Sequence, residues 1–235
     1  MNVIFTCGGT GGHINPAIAV AKMLQARRPN SNILFIGAED GMENKLVPRE
    51  GFRLETVRIS NFQRSLWPKG IWHNLKAAGA IIGALRQAGR LIDEFQPDVI
   101  LGTGGYASFP ALYAGAKRHI PTAVHESNAI PGLTTRMVAN KVERILVSFE
   151  DSIQQYDNPG RVIVTGMPVR EEFIFTKQAQ AKLELGLDRR PLIVSYWGSL
   201  GAREMNKIIA DFMVLESQEA LFQHVHATGS YGWKW

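Results

Sequence analysis

Short apolar runs recur along this chain, each closed by glycine or a polar turn, and most are followed by residues of helical periodicity. NVIFTC (2–7), NILFIG (32–37), FRLETVRI (52–59), DVILG (98–102), PTAVHE (121–126) and RILVS (144–148) predict six strands. Between them, PAIAVAKMLQARR, MENKLVPRE, NLKAAGAIIGALRQAGRLIDEF and FPALYAGAKRH predict helices. Strands that are apolar throughout and alternate with helices form parallel sheets covered on both faces. The expected fold class is α/β, a doubly wound Rossmann-like domain that binds ligands beyond the carboxyl ends of its strands.

After the turn-like YDNPG (156–160) the pattern restarts with RVIVTG, a charged helical stretch and PLIVSYWGSLGAREMNKIIADFMVLE. LIVSYWGSLGARE repeats the opening strand–glycine turn–helix device, and FQHVHATG adds one more strand. The expected organisation is one domain over residues 1–160 and the start of a second, incomplete one over 161–235, because 75 residues are few for an independent α/β domain.

The first strand runs into CGGTGGHINP (7–16), where the pattern predicts a helix starting near Asn15, with Pro16 in its first turn. Glycines allow close backbone approach, and the N–H groups at a helix start form a positive dipole end, so Thr10, Gly11 and Gly12 are candidate anion ligands. A second turn, LGTGGYASFP (101–110), places Gly104 and Gly105 on the same sheet edge. Two such turns suit one extended anion, of which a diphosphate is the simplest. The dinucleotide fingerprint G-x-G-x-x-G fails, since its last glycine would fall on Ile14, although Glu39 follows the second strand as a ribose-binding acid should. A Walker A loop is absent as well. HESNAIPG (125–132) adds Glu126, Ser127 and Asn128 to the same rim.

Composition narrows the class further. The single cysteine, Cys7, excludes an intramolecular disulfide and zinc sites built on paired cysteines. The opening NVIFT has none of the parts of a signal peptide, and the longest small-apolar run, AAGAIIGAL, is less than half a membrane span, so a cytoplasmic protein is expected. The net charge is +5. Residues 58–92 carry six Lys or Arg and no acid, leaving 20 basic against 21 acidic residues elsewhere. Within that stretch NFQRSLWPKGIWHNLK (61–76) sets Trp67 and Trp72 beside Arg64, Lys69 and Lys76. This pattern suits an anionic membrane surface. A helix packing its tryptophans inward is the alternative. No recognised nucleic-acid-binding module accompanies the patch, and no nucleic-acid partner is expected.

Five motifs, CGGTGGHINPA, GTGGYASFPA, HESNAIPG, TGMPVREEF and GSLGAREMN, stand in the order and spacing of the MurG family, which the chain resembles over essentially its whole length. Members transfer N-acetylglucosamine from UDP-N-acetylglucosamine to the 4-hydroxyl of undecaprenyl-diphosphate-linked muramyl pentapeptide, turning lipid I into lipid II, with inversion and loss of UDP. The resemblance implies the two-domain GT-B glycosyltransferase fold, an acceptor domain followed by a donor domain, and a peripheral position on the cytoplasmic face of the bacterial membrane. It also implies that Asn128, Arg170 and Ser199 contact UDP-N-acetylglucosamine and that Tyr106 and Ser108 line the acceptor side. His13 is the first candidate for the general base, imidazole being the side chain suited to proton transfer near neutral pH, and Glu126 is the competing base or the partner that orients the acceptor sugar. With no D-x-D pair, neither metal nor other cofactor is expected, and helix-start N–H groups with basic side chains replace a cation. Arg170 has a second reading, a salt bridge to Glu171 or Glu172. The sequence departs from the family at Ser127, Trp197 and Leu200, and the family's later nucleotide-binding motifs would lie beyond residue 235. An acceptor-binding remnant without donor binding, or another Rossmann-like enzyme such as a UDP-sugar epimerase or an oxidoreductase, are the competing readings.

Overall fold

A computed structural model describes residues 1–59, 68–198, 200–230 and 232, and of residues 68–78 the backbone alone. Two compact units emerge, Met1–Ile174 and Phe175–Trp235.

In the first unit, β1 (Asn2–Thr6), α1 (Gly11–Arg27), β2 (Asn32–Ala38), α2 (Glu43–Arg49), β3 (Arg53–Val57), α3 (Pro68–Phe95) and β4 (Val99–Gly102) follow in chain order. They are succeeded by α4 (Ser108–Lys117), β5 (Thr122–Glu126), α5 (Leu133–Val138), β6 (Arg144–Val147) and β7 (Val162–Val164), and α6 (Glu171–Phe175) runs to the boundary between the units. Every strand pairing is parallel, in the order β3-β2-β1-β4-β5-β6-β7. The order reverses between β1 and β4, so the connections leaving those two strands diverge and open a crevice at their carboxyl ends.

The strand alternation builds a core on each face. Ile4, Leu34, Ile36, Ile100, Val124 and Ile145 face Ala84, Ala88, Ile92 and Leu112 on one side. Val3, Phe5 and Phe35 face Ile14, Ala17, Ile18 and Val47 on the other. Phe35 stands between Phe5 and Phe52, with ring centroids 5.3 Å from each. Because both faces are covered, only the sheet's rim is left for chemistry.

The expected domain boundary at residue 160 is corrected. The run RVIVTG does not begin a new sheet: β7 pairs with β6, Ile145 opposite Val162, and the first unit continues to Ile174. A strand's partner is a long-range choice that periodicity does not encode. The helix start is also corrected. α1 begins at Gly11 with Thr10 as its N-cap, so Pro16 lies inside the helix and Asn15 is not the cap. Pro16 lacks the N–H that would bond the Gly12 carbonyl, which loosens the first turn where it meets the rim.

The second unit contains α7 (Gln178–Glu184), β8 (Leu192–Tyr196), α8 (Arg203–Glu219) and β9 (Gln223–Ala227). β8 and β9 pair in parallel, as a strand–helix–strand repeat requires. Polar side chains of β8, β9 and α8 meet in one cluster: Ser195 Oγ lies 2.8 Å from both His224 Nε2 and His226 Nδ1, and His224 Nδ1 lies 2.7 Å from Glu216.

Candidate functional site

Both glycine turns lie at the switch point, one after β1 and one after β4. As the first two residues of α1, Gly11 and Gly12 have backbone N–H groups with no intrahelical acceptor. The next two are satisfied by the cap, since His13 N–H and Ile14 N–H donate to the Thr10 carbonyl at 3.0 and 3.2 Å. Thr10 has no side-chain cap bond; its Oγ1 lies 3.2 Å from His13 Nδ1 instead, which holds the imidazole. The predicted trio of Thr10, Gly11 and Gly12 thus sits at the helix start, with two amides directed outward.

The two turns touch. Thr103 donates its hydroxyl to the His13 carbonyl at 2.6 Å, and its N–H to the Thr6 carbonyl at 3.0 Å. Gly104 and Gly105 have φ of +91° and +79°, a region that side-chain-bearing residues seldom occupy. A Cβ on Gly105 would overlap the Gly8 carbonyl oxygen, and one on Gly104 would stand 2.9 Å from His13 Cδ2. His13, half-buried, therefore lies against the second turn. Tyr106 packs its ring beside Gly9. Burial, then the charges of Glu43 and Asp40, push its phenol above the usual tyrosine value, so it remains a neutral donor.

Ser108 departs from expectation. It is 0% exposed, and its hydroxyl donates to the Gly105 carbonyl at 2.8 Å, so it shapes the turn and does not line an acceptor surface. Glu39 is exposed and paired with Arg58 at 2.9 Å, away from a ribose-binding role. Cys7 is buried; desolvation, with the nearby charge of Glu43, raises its thiol far above the ordinary value and leaves it inert.

Glu126 ends β5 with both carboxylate oxygens occupied. Oε1 accepts the Asn128 backbone N–H at 2.9 Å and its side-chain N–H at 2.7 Å. Oε2 accepts the Gly132 N–H at 2.9 Å and the Thr135 hydroxyl at 2.6 Å. Burial by itself would raise this carboxyl group's pKa, but the bonds from Thr135, Asn128 and Gly132 outweigh it and hold the pKa below the usual glutamate value. The arrangement fits an anchor for the 127–132 loop and start of α5, an element absent from the expected pattern. Asn128 is exposed on that loop, its amide turned to Glu126. Neighbouring His125 is buried, and its Nε2 donates to the Gly166 carbonyl at 3.0 Å, which fastens residues 165–170 to the sheet.

Arg170 pairs with neither Glu171 nor Glu172. Its Nη1 lies 3.2 Å from Glu50 Oε1, and its Nη2 donates to Asn15 Oδ1 at 3.4 Å. Lys22 binds the other Glu50 oxygen. The hydrogen bond from Lys22, which exceeds the opposing cost of burial, together with the charge of Arg170, holds Glu50 below the usual glutamate range. Gly11, Gly12, Asn15, Pro168, Val169 and Arg170 line a cavity of about 410 Å³ beside the helix start. Ser199 and residues 61–67 lie outside the described residues, as do the side chains of 68–76. Glu43, Glu50, Thr103 and Thr135 join these contacts without standing in any of the expected motif roles. Only Glu43 carries a local signal, as an acid that follows two glycines, Gly37 and Gly41, at short spacing.

This doubly wound unit, with two glycine turns meeting at its switch point, has the architecture of one Rossmann-like domain of a GT-B glycosyltransferase. Residues 3–147 match the model of the glycosyltransferase family 28 N-terminal domain, and the chain belongs to that family. A Ruminiclostridium cellulolyticum protein named UDP-N-acetylglucosamine–N-acetylmuramyl-(pentapeptide) pyrophosphoryl-undecaprenol N-acetylglucosamine transferase is 42% identical over 230 residues, 97% of this chain and 62% of that protein. A Caldanaerobacter subterraneus protein of the same name is 40% identical over 98% of this chain and 62% of its own length. The chain thus spans about three-fifths of the length of these relatives. The crystal structure of Acinetobacter baumannii MurG superposes with a TM-score of 0.68 at 25% identity, over 99% of this chain and 62% of that one. The UDP-GlcNAc 2-epimerase of Neisseria meningitidis, at 18% identity and TM-score 0.63 over 96% of this chain and 65% of that one, shares the fold.

The Glu126 anchor has a pH signature. Its folded pKa lies below its unfolded value, so its contribution to stability is present above the ordinary glutamate value of 4.5 and is lost as pH falls through the folded value. Glu126→Gln should cost about 2–4 kcal/mol in urea unfolding at neutral pH. It should also flatten the acid side of the stability profile; an unchanged profile would remove Glu126 from the anchoring role.

Proposed function

We propose that this chain supplies the acceptor-diphosphate site and the general base for transfer of N-acetylglucosamine from UDP-N-acetylglucosamine to undecaprenyl-diphosphate-MurNAc-pentapeptide, the lipid I to lipid II step of peptidoglycan synthesis. The observation behind this reading is the contact of the two glycine turns across the switch point with His13 between them. In this reading the outward amides of Gly11 and Gly12 and the backbone of Gly104, Gly105 and Tyr106 hold one diphosphate, and Thr10 borders it.

The chemistry is a single inverting displacement. The acceptor 4-hydroxyl attacks C1 of the donor sugar, the C1–O bond to UDP breaks, and the bonding pair leaves with the diphosphate. The hydroxyl proton passes to His13. When Nδ1–H donates to Thr10 Oγ1, Nε2 holds the lone pair a base needs. Glu126 is the weaker candidate, because four donors already occupy its oxygens. It orders the loop that presents Asn128 to the donor sugar. The motif resemblance adds Arg170 and Ser199 as candidate donor-binding residues. Arg170 stands beside the α1 start, where its positive charge offsets the charge that develops on the departing diphosphate.

A lipid-linked acceptor requires work at a bilayer surface, and we place the protein peripherally on the cytoplasmic face, held by the basic, aromatic segment 61–76. No described helix is long and apolar enough to cross a membrane.

In a protein continued to the length of its relatives, His13→Ala should keep binding to lipid I and lose about 10²–10⁴ in turnover with radiolabelled UDP-N-acetylglucosamine. Turnover equal to wild type would clear His13. Replacing Trp67 and Trp72 together with Ser should reduce sedimentation with anionic vesicles while leaving transfer to a soluble acceptor intact; undiminished sedimentation would assign these tryptophans to the protein interior.

A further inference from the structure

The first glycine turn rests on a carboxylate that the transfer chemistry does not use. Glu43, the first residue of α2, is 0% exposed. Its Oε1 accepts the Ala38 N–H at 2.7 Å and its Oε2 the Gly9 N–H at 3.3 Å. The space it occupies exists only because three surrounding residues lack side chains: a Cβ on Gly8, Gly37 or Gly41 would overlap its side chain. Asn44 closes the turn that presents it, its amide donating to the carbonyls of Ala38 and Glu39 at 2.8 Å and of Gly41 at 3.0 Å.

A negative group under an anion-binding turn opposes the ligand electrostatically. Its placement therefore needs a geometric return, and the peptide plane shows one. The Gly8–Gly9 peptide is planar and trans, so its N–H and carbonyl point in opposite directions. With the Gly9 N–H turned inward to Glu43, the Gly8 carbonyl is turned outward, and it is this oxygen against which Gly105 of the second turn lies. One hydrogen bond under the first turn thus sets the surface on which the second turn sits.

We propose that Glu43 is a positioning residue that locks the Gly8–Gly9 peptide plane, fixes the contact between the two turns, and so aims the Gly11 and Gly12 amides at the diphosphate. The last clause rests on the diphosphate reading above; the first two do not. The Ala38 bond, at 2.7 Å, seats the carboxylate, and the Gly9 bond, at 3.3 Å, orients the peptide. Glutamine keeps the size of glutamate but replaces one acceptor with a donor. It can satisfy Ala38 or Gly9, not both.

The test uses the 235-residue chain. Amide spectra of wild type and Glu43→Gln should differ at Gly9 and also at Gly105, Gly11 and Gly12, while unfolding remains cooperative. Calorimetry with inorganic pyrophosphate should show binding weakened about tenfold in the variant, as expected for loss of one hydrogen bond. Wild-type affinity in the variant, or amide changes confined to Ala38 and Gly9, would overturn the proposal. Should Glu43→Gln not fold, hydrogen exchange of wild type decides: strand-like protection of the Gly9 amide supports the lock, and exchange at the rate of an open loop overturns it. Pyrophosphate failing to bind wild type would instead defeat the diphosphate reading, and the amide changes would still settle the lock itself.

Discussion

The site depends on a backbone-to-backbone approach between two turns leaving neighbouring strands in opposite directions. Nothing larger than hydrogen fits on Gly105 where it meets the Gly8 carbonyl. The Thr103 hydroxyl, bonded to the His13 carbonyl, fastens the second turn to the first helix. The switch point between β1 and β4 brings these segments together, and their small residues let them close to contact. His13, at the third position of α1, takes its place from that contact.

Carboxylates organise the rim around this contact. Glu43 holds the first turn from beneath, Glu126 gathers the loop after β5, and Glu50 holds Arg170 and Lys22 beside the helix start. Each is satisfied by several donors, as buried or half-buried charges require. They confer order on segments that have little apolar surface of their own. The amides at the start of α1 remain the groups of this rim suited to an incoming anion.

The sheet was legible in the sequence because apolar runs bounded by glycine encode a parallel strand directly. All six strands predicted before residue 150 appear, and the glycine turns fall on one edge as the pattern required. What the pattern hid was set by distant partners. β7 belongs to the first sheet through its pairing with β6, and α1 starts at Gly11 although two glycines disfavour a helix. Tertiary bonds from the second turn outweigh that local preference. Among acids, the exposed Glu39 drew notice as a ribose ligand. The buried Glu43, four residues later, was the one placed at the site, because burial and the identity of its donors are not written in local spacing. The same holds for Glu126, whose donors from Gly132 and Thr135 lie six and nine residues on.

The central claim is that the two turns form one diphosphate site. A crystal structure of the chain with a short-chain prenyl diphosphate tests it most directly. The account predicts phosphate oxygens about 3 Å from the Gly11 and Gly12 amides and, through the same diphosphate, from backbone N–H groups of the 104–106 turn. A diphosphate held by one turn alone, or bound away from the β1–β4 switch point, would contradict it.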